Sequence, residues 1–351
     1  NAAEQMAGTT IRSVRSVLCG GSPVSLTGYV ETGLGNAAVS DADVAAVQSL
    51  ALEEARAGEG MQVLHAIPLY YALDDQKGIR DPRGLYGSRL GLRLHTVAAR
   101  ETAVRNLSAA IALCHLDVDD LVLAPWAAGL ACLTDEEREI GTVLVDMGSG
   151  TTSVAVFSEG KLVHADSIPV GGQHVTTDIA RGLTTSLASA ERLKTLYGHA
   201  MPGASDSRES ISYPLAGEEG AEQTGQVSRA MLVRIIHARL EETLGIVRQR
   251  LLSAGFSGTT PRRVVLTGGA CQLPGLRDLV QTVLEGPVRM GGPPAIAGLP
   301  ASMSGPAFSA VCGLVLSHAA RHRDRPVAAA AAPGAARNWM GRVGQWLREN
   351  L

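Results

Sequence analysis

A glycine-rich turn between two short apolar segments constrains the fold of this chain more than any other feature. Val143–Val145 leads into Asp146, and Ser153–Val156 leaves the turn as a second apolar segment. The turn contains Gly148, Ser149, Gly150, Thr151 and Thr152. Glycine lets backbone N–H groups approach an anion closely, and threonine hydroxyls add donors. The pattern predicts a phosphate-binding hairpin with Asp146 holding Mg²⁺ through water, and an ordinary glycine-rich hairpin is the alternative.

A second pair of glycines follows another apolar segment. Val264–Thr267 reads as a strand that ends at Gly268, Gly269 and Ala270, just before a helix. Glycine here would let the backbone approach a base or a ribose. A simple helix-start turn would show the same pattern, so this motif supports a nucleotide site only in combination with the first motif.

Composition excludes several classes of protein. The chain has 351 residues, with 31 Lys plus Arg against 34 Asp plus Glu, so its net charge of −3 provides no basic field for nucleic acid. Its length predicts about two domains. The five cysteines form no C-x-x-C pair, which favours a reducing compartment over a zinc ribbon. No apolar run approaches the roughly 18 residues that a spanning helix needs.

Hydrophobic periodicity predicts a compact β-α-β-β unit followed by a longer mixed region. The expected strands are 24–30, 62–73, 89–97, 121–123, 141–145, 153–157, 161–168 and 263–266. The expected helical segments are 44–56, 101–115, 126–133, 176–197, 228–254, 275–284 and 307–318. A hairpin is expected within 202–226, and the stretch 74–88 is expected to be a loop.

The last residues form a distinct segment behind an alanine-rich stretch. Residues 319–337 read as a flexible linker, and residues 338–351 read as an amphipathic helix. Its predicted membrane-binding residues are Trp339, Met340, Arg342, Val343, Trp346, Leu347, Arg348 and Leu351. At about 1.5 Å per residue the helix would be about 21 Å long, too short to cross ~30 Å of hydrocarbon. We therefore expect it to lie in the interface of an anionic membrane, with docking on a protein groove as the alternative.

Taken together, these motifs resemble the actin-like ATPase superfamily. The turn at 146–151 resembles its second phosphate loop, 266–270 its adenosine motif, and 124–128 the connection between its lobes. Residues 63–68 and 78–87 resemble the small 1C subdomain that distinguishes the FtsA family of bacterial division proteins. The implied fold is α/β, an actin-like pair of ribonuclease-H-like lobes with a 1C insertion and a C-terminal amphipathic helix.

The resemblance implies a division of the chain into segments. The expected segments are a remnant of subdomain 1A at 1–21, SHS2-like subdomain 1C at 22–98, subdomain 1A with the phosphate hairpin at 99–170, the second lobe with subdomains 2A and 2B at 171–318, the linker at 319–337 and the membrane helix at 338–351. It also implies that the chain begins inside the first helix of lobe 1, without the first phosphate loop of the superfamily.

The resemblance also implies ligands and partners. ATP and Mg²⁺ would be the cofactors, with Glu191 and Lys194 flanking the nucleoside, unless these two form only a solvated ion pair. Arg239 would bind the C-terminal tail of FtsZ, unless it is merely a solvated helix residue. The implied function is to tether FtsZ filaments to the cytoplasmic side of the plasma membrane at the septum and to help recruit the division machinery. Self-polymerisation, other division proteins bound through 1C, and at most weak ATPase activity complete this expectation.

Alternatives remain at this point. A sugar-kinase or exopolyphosphatase-type enzyme would share the ATP fold but has no reason to carry a tethered amphipathic tail, and a pilus-assembly adaptor should lack the tryptophan stripe. The stretch 33–38 resembles a dinucleotide fingerprint, but no serial βαβ pattern follows it. The stretch 115–120 lacks the spacing of a calcium loop, which favours a simple helix-to-strand connection.

Overall fold

The computed structural model describes residues 2–55, 58–216, 224–256, 263–294, 296 and 299–320. Two compact units account for them, one up to Val122 and one from Leu123 to Ala320. No helix in these ranges is long and apolar enough to cross a bilayer. The predicted membrane helix at 338–351 lies outside the described residues, as does all of the predicted linker except residues 319 and 320, which end the last helix.

The first unit is built around an antiparallel sheet. Its elements are α1 (Ala2–Ala7), β1 (Ser13–Leu18), β2 (Val24–Gly33), α2 (Asp41–Glu54), β3 (Met61–Leu73), β4 (Gln76–Ile79), β5 (Arg89–Arg100), α3 (Glu101–Ala112) and β6 (Asp117–Leu123). Four strands lie in the order β2-β5-β3-β4, and β1 pairs separately with β6. Helix α2 begins at a capping box formed by Ser40 and Asp43 and contributes Val47 to a core shared with Leu92 of β5.

Two expectations for this unit can be compared with the structure. The stretch expected to be a loop contains β4, a four-residue strand that pairs with the end of β3, so that prediction was incomplete. Its residues, QKGI, are too few and too polar to show a strand pattern by themselves. The sheet around 33–38 is antiparallel, which excludes the parallel βαβ arrangement of a dinucleotide-binding fold.

The second unit holds a five-stranded mixed sheet. Its elements are α4 (Ala124–Cys132), α5 (Asp135–Ile140), β7 (Thr142–Met147), β8 (Thr152–Ser158), β9 (Lys161–Ile168), α6 (Gly172–Leu183), α7 (Leu187–Tyr197), β10 (Ser210–Pro214), β11 (Thr224–Ser228), α8 (Arg229–Ser253), β12 (Arg263–Thr267), α9 (Leu276–Leu284), β13 (Val288–Met290) and α10 (Ser309–Ala320). The strand order is β13-β12-β7-β8-β9. Strand β12 runs parallel to both β7 and β13, whereas β7, β8 and β9 form an antiparallel meander.

Alternating residues of this sheet face two different layers. Val145 and Val154 belong to the core formed with α6, α8 and α9. On the opposite face, Phe157 of β8 packs so closely on Gly129 of α4 that a Cβ there would lie 2.3 Å from the ring. Because side chains alternate along a strand, Asp146 shares the α4 face with Phe157.

The two compact units divide between Val122 and Leu123, and the subdomain bounds expected at 98 and 170 stay a prediction. In the second unit, β7 pairs in parallel with β12, which lies more than a hundred residues later in the chain. Such a long-range pair joins the phosphate hairpin and the second glycine motif in one sheet.

Candidate functional site

The turn between β7 and β8 closes over four residues. Met147 and Thr152 are the last paired residues of the two strands. The N–H of Gly148 donates to the carbonyl oxygen of Thr151 at 2.9 Å, and Ser149 and Gly150 are exposed at the tip. The hairpin predicted from the glycine pattern is therefore present.

The start of helix α6 fixes the orientation of this turn. The N–H of Gly172 donates to the carbonyl oxygen of Gly148 at 2.9 Å, and that of Gln173 donates to Ser149 at 2.8 Å. In a trans peptide the carbonyl and the following N–H point in opposite directions. The N–H groups of Ser149 and Gly150 therefore point away from α6, and within the described ranges they donate to no protein acceptor. Two adjacent free backbone donors are suited to an anion such as phosphate.

Gly171 makes this docking possible, and sequence reasoning did not include it among the site residues. A Cβ on Gly171 would lie 2.6 Å from the carbonyl oxygens of both Gly148 and Ser149. Any side chain would therefore push the helix away from the turn. A glycine pair directly before a helix was the available signal, but only the tertiary contact shows what the pair accommodates.

The second glycine motif touches the first. Thr267 pairs with Asp146 across the parallel strands. Gly268 has a φ of 89°, and a Cβ there would lie 2.4 Å from both Oδ1 of Asp146 and the carbonyl oxygen of Met147. Only glycine fits this position, because both the backbone conformation and the space exclude a side chain.

Ala270 extends the same contact to helix α6. A Cβ placed on Gly172 would lie 3.0 Å from the Cβ of Ala270. A Cβ placed on Gly269 would lie 3.8 Å from the Cβ of Ala307. The structure thus brings the hairpin, the second glycine motif and the start of α6 into one cluster within the second unit.

Asp146 contributes a carboxylate to this cluster. Its carboxylate has no hydrogen bond or ion pair among the described residues. Burial raises its pKa to about 6. An inward carboxylate without a partner suits a hydrated cation, and no group of three His, Cys, Asp or Glu side chains in the described ranges could supply a full protein shell. The residues present thus fit Mg²⁺ bound through its own water.

Glu191 and Lys194 lie next to the same helix start. Nζ of Lys194 donates to the carbonyl oxygen of Gly172 at 3.2 Å, to Oγ1 of Thr176 at 2.8 Å and to Oε2 of Glu191 at 2.7 Å. Burial alone would raise the pKa of Glu191, but the hydrogen bonds from Lys194 and Thr176 lower it below its ordinary value. The two residues do form an ion pair, and that pair is anchored to α6.

Thr152 occupies a different position from the one expected of a phosphate ligand. Its side chain is fully buried, and its hydroxyl donates to the carbonyl oxygen of Val170 at 2.8 Å. The hydroxyl therefore stabilises the loop before α6 and does not face outward. Thr151 is partly exposed and stays at the edge of the turn.

Arg239 lies on α8 and contacts two carboxylates. Its Nε donates to Oδ2 of Asp178 on α6, and its Nη1 donates to Oε2 of Glu242, both at 2.5 Å. It is therefore more than a solvated residue, since 28 % of its side chain is exposed and it crosslinks two helices. The eight predicted membrane-binding residues, from Trp339 to Leu351, lie outside the described residues.

Comparison with known families gives two matches. The sequence model described as "Cell division protein FtsA" matches residues 143–313, and the one described as "SHS2 domain inserted in FTSA" matches residues 20–98. The cell division protein FtsA of Agrobacterium fabrum is 42 % identical over 354 residues, covering 100 % of this chain and 80 % of that protein. FtsA of Escherichia coli K12 is 33 % identical over 301 residues, covering 83 % of this chain and 70 % of that protein.

Solved structures agree on the fold. A PilM–PilN complex of type IV pilus biogenesis matches with a TM-score of 0.59 at 20 % identity, covering 90 % of this chain and 82 % of that one. MreB5 of Spiroplasma citri bound to AMPPNP matches with a TM-score of 0.51 at 17 % identity, covering 64 % of this chain and 67 % of that one. These neighbours and the SHS2 match confirm the predicted actin-like α/β fold with its insertion.

Proposed function

Since this chain belongs to the FtsA family of cell division proteins, we propose that it tethers FtsZ filaments to the inner face of the plasma membrane at the division septum. It would act as a peripheral membrane protein that also helps to recruit other division proteins. ATP binding and self-polymerisation would regulate this role. The protein would be a nucleotide-regulated adaptor with at most weak ATPase activity.

The observation that carries the nucleotide part is the orientation of the hairpin turn. The N–H groups of Ser149 and Gly150, which have no acceptor in the described part of the chain, would bind the phosphates of ATP, with Gly148 and Thr151 shaping the turn. Asp146 would hold Mg²⁺, which neutralises phosphate charge when bound. The MreB5 structure shares the fold and holds AMPPNP, which supports a nucleotide at this fold.

The remaining contacts with nucleotide follow from the cluster around α6. Gly268, Gly269 and Ala270 would approach the nucleoside, because the second glycine motif lies against both Asp146 and the start of α6. Glu191 and Lys194 would flank it from α7.

Three further regions would provide the attachments. Arg239 would receive the acidic C-terminal tail of FtsZ, since charge-assisted contacts between guanidinium and carboxylate are strong and directional. The segment 338–351, which is predicted to be an amphipathic helix, would bind anionic lipid, and the unit around 22–98 would bind other division proteins. One amphipathic helix binds weakly, so polymerisation would strengthen attachment by multiplying the anchors.

Co-flotation of FtsZ with anionic vesicles tests the tether. FtsZ should float only when this chain is present, and the double variant Trp339→Glu with Trp346→Glu should abolish flotation. The matched control, Asn338→Glu with Gln345→Glu, adds the same charge on the opposite face of the predicted helix and should float normally. Equal flotation of the tryptophan variant would refute the membrane part of the proposal.

A further inference from the structure

Helix α6 physically joins the two ligand sites of the proposed function. Its first N–H groups bind the carbonyl oxygens of the phosphate turn, as described above. Asp178 lies six residues after Gly172 on the same helix, about 9 Å along its axis. Val175 and Ile179 anchor the helix in the core and are at most 2 % exposed. A shift of α6 at one site therefore reaches the other.

Arg239 is already occupied by an internal carboxylate. Asp178 binds its Nε from α6, and Glu242 binds its Nη1 from the same helix as Arg239. The Asp178 side chain is 23 % exposed and that of Glu242 is 58 % exposed, so the Asp178 contact is the less screened of the two. An acidic ligand that takes Arg239 must displace or share these carboxylates.

We propose, resting on the function proposed above, that Asp178 is a latch: it holds Arg239 in place of the acidic FtsZ tail, and α6 links the latch to the nucleotide turn. The tail then competes with Asp178 for the guanidinium. Since the competitor is built into α6, whatever fixes α6 changes the affinity for the tail.

The hydrogen bonds at the turn determine whether nucleotide raises or lowers the affinity for the tail. Phosphate on the N–H groups of Ser149 and Gly150 polarises the same peptide groups whose carbonyls accept from α6, and hydrogen bonds in such a chain strengthen one another. Bound nucleotide thus holds α6 in the position where Asp178 contacts Arg239. Bound nucleotide therefore weakens binding of the tail, and by linkage the bound tail weakens binding of nucleotide by the same factor.

Binding of the FtsZ C-terminal peptide, measured by fluorescence anisotropy with and without saturating Mg-AMPPNP, tests the latch. Wild type should bind the peptide about fivefold more weakly with nucleotide. Asp178→Asn should bind it about fivefold more tightly without nucleotide and show no nucleotide effect. The matched control is Glu242→Gln, which removes the other carboxylate on Arg239 but leaves α6 untouched. It should keep the nucleotide effect.

The outcomes separate the latch from the function on which it rests. If wild type binds both ligands but nucleotide leaves peptide affinity unchanged or raises it, the latch is refuted while the two binding sites stand. The same holds if Asp178→Asn keeps the wild-type nucleotide effect. If wild type binds no nucleotide or no peptide, the proposed function itself fails.

Discussion

Two carboxylates near opposite ends of strand β7 differ in almost every respect. Glu137 lies in α5, just before the strand, and its side chain is 5 % exposed. Oε2 accepts from Nη2 of Arg289 at 2.5 Å and from the N–H of Thr134 at 3.0 Å, with Arg263 3.5 Å from Oε1. The hydrogen bond from Arg289 lowers its pKa to about 2, against the opposing effect of burial.

Asp146, near the end of the same strand, has none of these partners. Burial raises its pKa to about 6. Among the described residues, the carboxylate that links α5 to β13 is therefore paired, whereas the carboxylate at the candidate site is unpaired. A charge left open costs stability, which is the usual mark of a residue retained for binding.

The largest expected effect comes from breaking the paired carboxylate. Glu137→Ala removes the buried carboxylate that binds Arg289, but Arg289 is 37 % exposed and still donates to the carbonyl oxygen of Cys132, so we expect a loss of about 3 kcal/mol in the free energy of unfolding. Urea denaturation at pH 7 measures this loss. Nucleotide affinity of the folded protein should not change, and a loss below about 1 kcal/mol would show that the pair is not structural.

The paired carboxylate also predicts a dependence on acid. A lowered pKa in the folded state means that the stabilisation by Glu137 is complete above its unfolded value of about 4.5 and disappears as pH falls towards 2. The difference in unfolding free energy between wild type and Glu137→Gln should therefore shrink as pH falls from 5 to 3. A constant difference would contradict the ion-pair explanation.

At Asp146 we expect a substitution to raise the free energy of unfolding, the opposite of its effect at Glu137. Asp146→Asn removes a buried charge, and a pKa raised from 3.8 to about 6 corresponds to about 2–3 kcal/mol of added stability at pH 7.5. The gain should vanish as pH falls from about 6 to 4, because wild type then takes up its proton. Calorimetric titration should also show that the variant loses Mg²⁺-dependent ATP affinity. If the variant is less stable than wild type at pH 7.5, the carboxylate of Asp146 stabilises the fold as that of Glu137 does, and the proposed difference between them is wrong.

Gly171 tests whether the turn must dock on α6. Gly171→Ala places a methyl group against two carbonyl oxygens, so we expect a loss of about 1–3 kcal/mol and weaker ATP binding. Gly245→Ala on α8 is the matched control, because nothing lies within 4 Å of its Cβ position and the residue lies outside the candidate site. Thermal melting and ATP titration of both variants would decide the point, and equal behaviour would refute it.

The smallest effect is expected at Thr152. Thr152→Val keeps the shape but leaves the carbonyl oxygen of Val170 without this donor, which should cost about 1–2 kcal/mol. ATP affinity should stay within twofold of wild type, measured by the same titration. A large loss of affinity with little loss of stability would restore Thr152 as a direct ligand.

The hairpin was predictable because its evidence is local. Apolar runs on both sides of a glycine-rich turn specify two strands and their connection without information from elsewhere. The positions of β4 and Gly171 were not predictable, because a four-residue polar strand has no period of its own and a glycine gives no indication of what it will contact.

Local sequence patterns specify most of the helices and strands and both glycine motifs, because alternation, capping residues and turn residues act over a few neighbouring positions. Contacts distant in sequence pair β7 with β12, bury Thr152, leave Asp146 without a partner among the described residues and bring Asp178 to Arg239. Each of these depends on contacts between segments separated by tens of residues, and their geometry is fixed only when the whole sheet and its helices pack together.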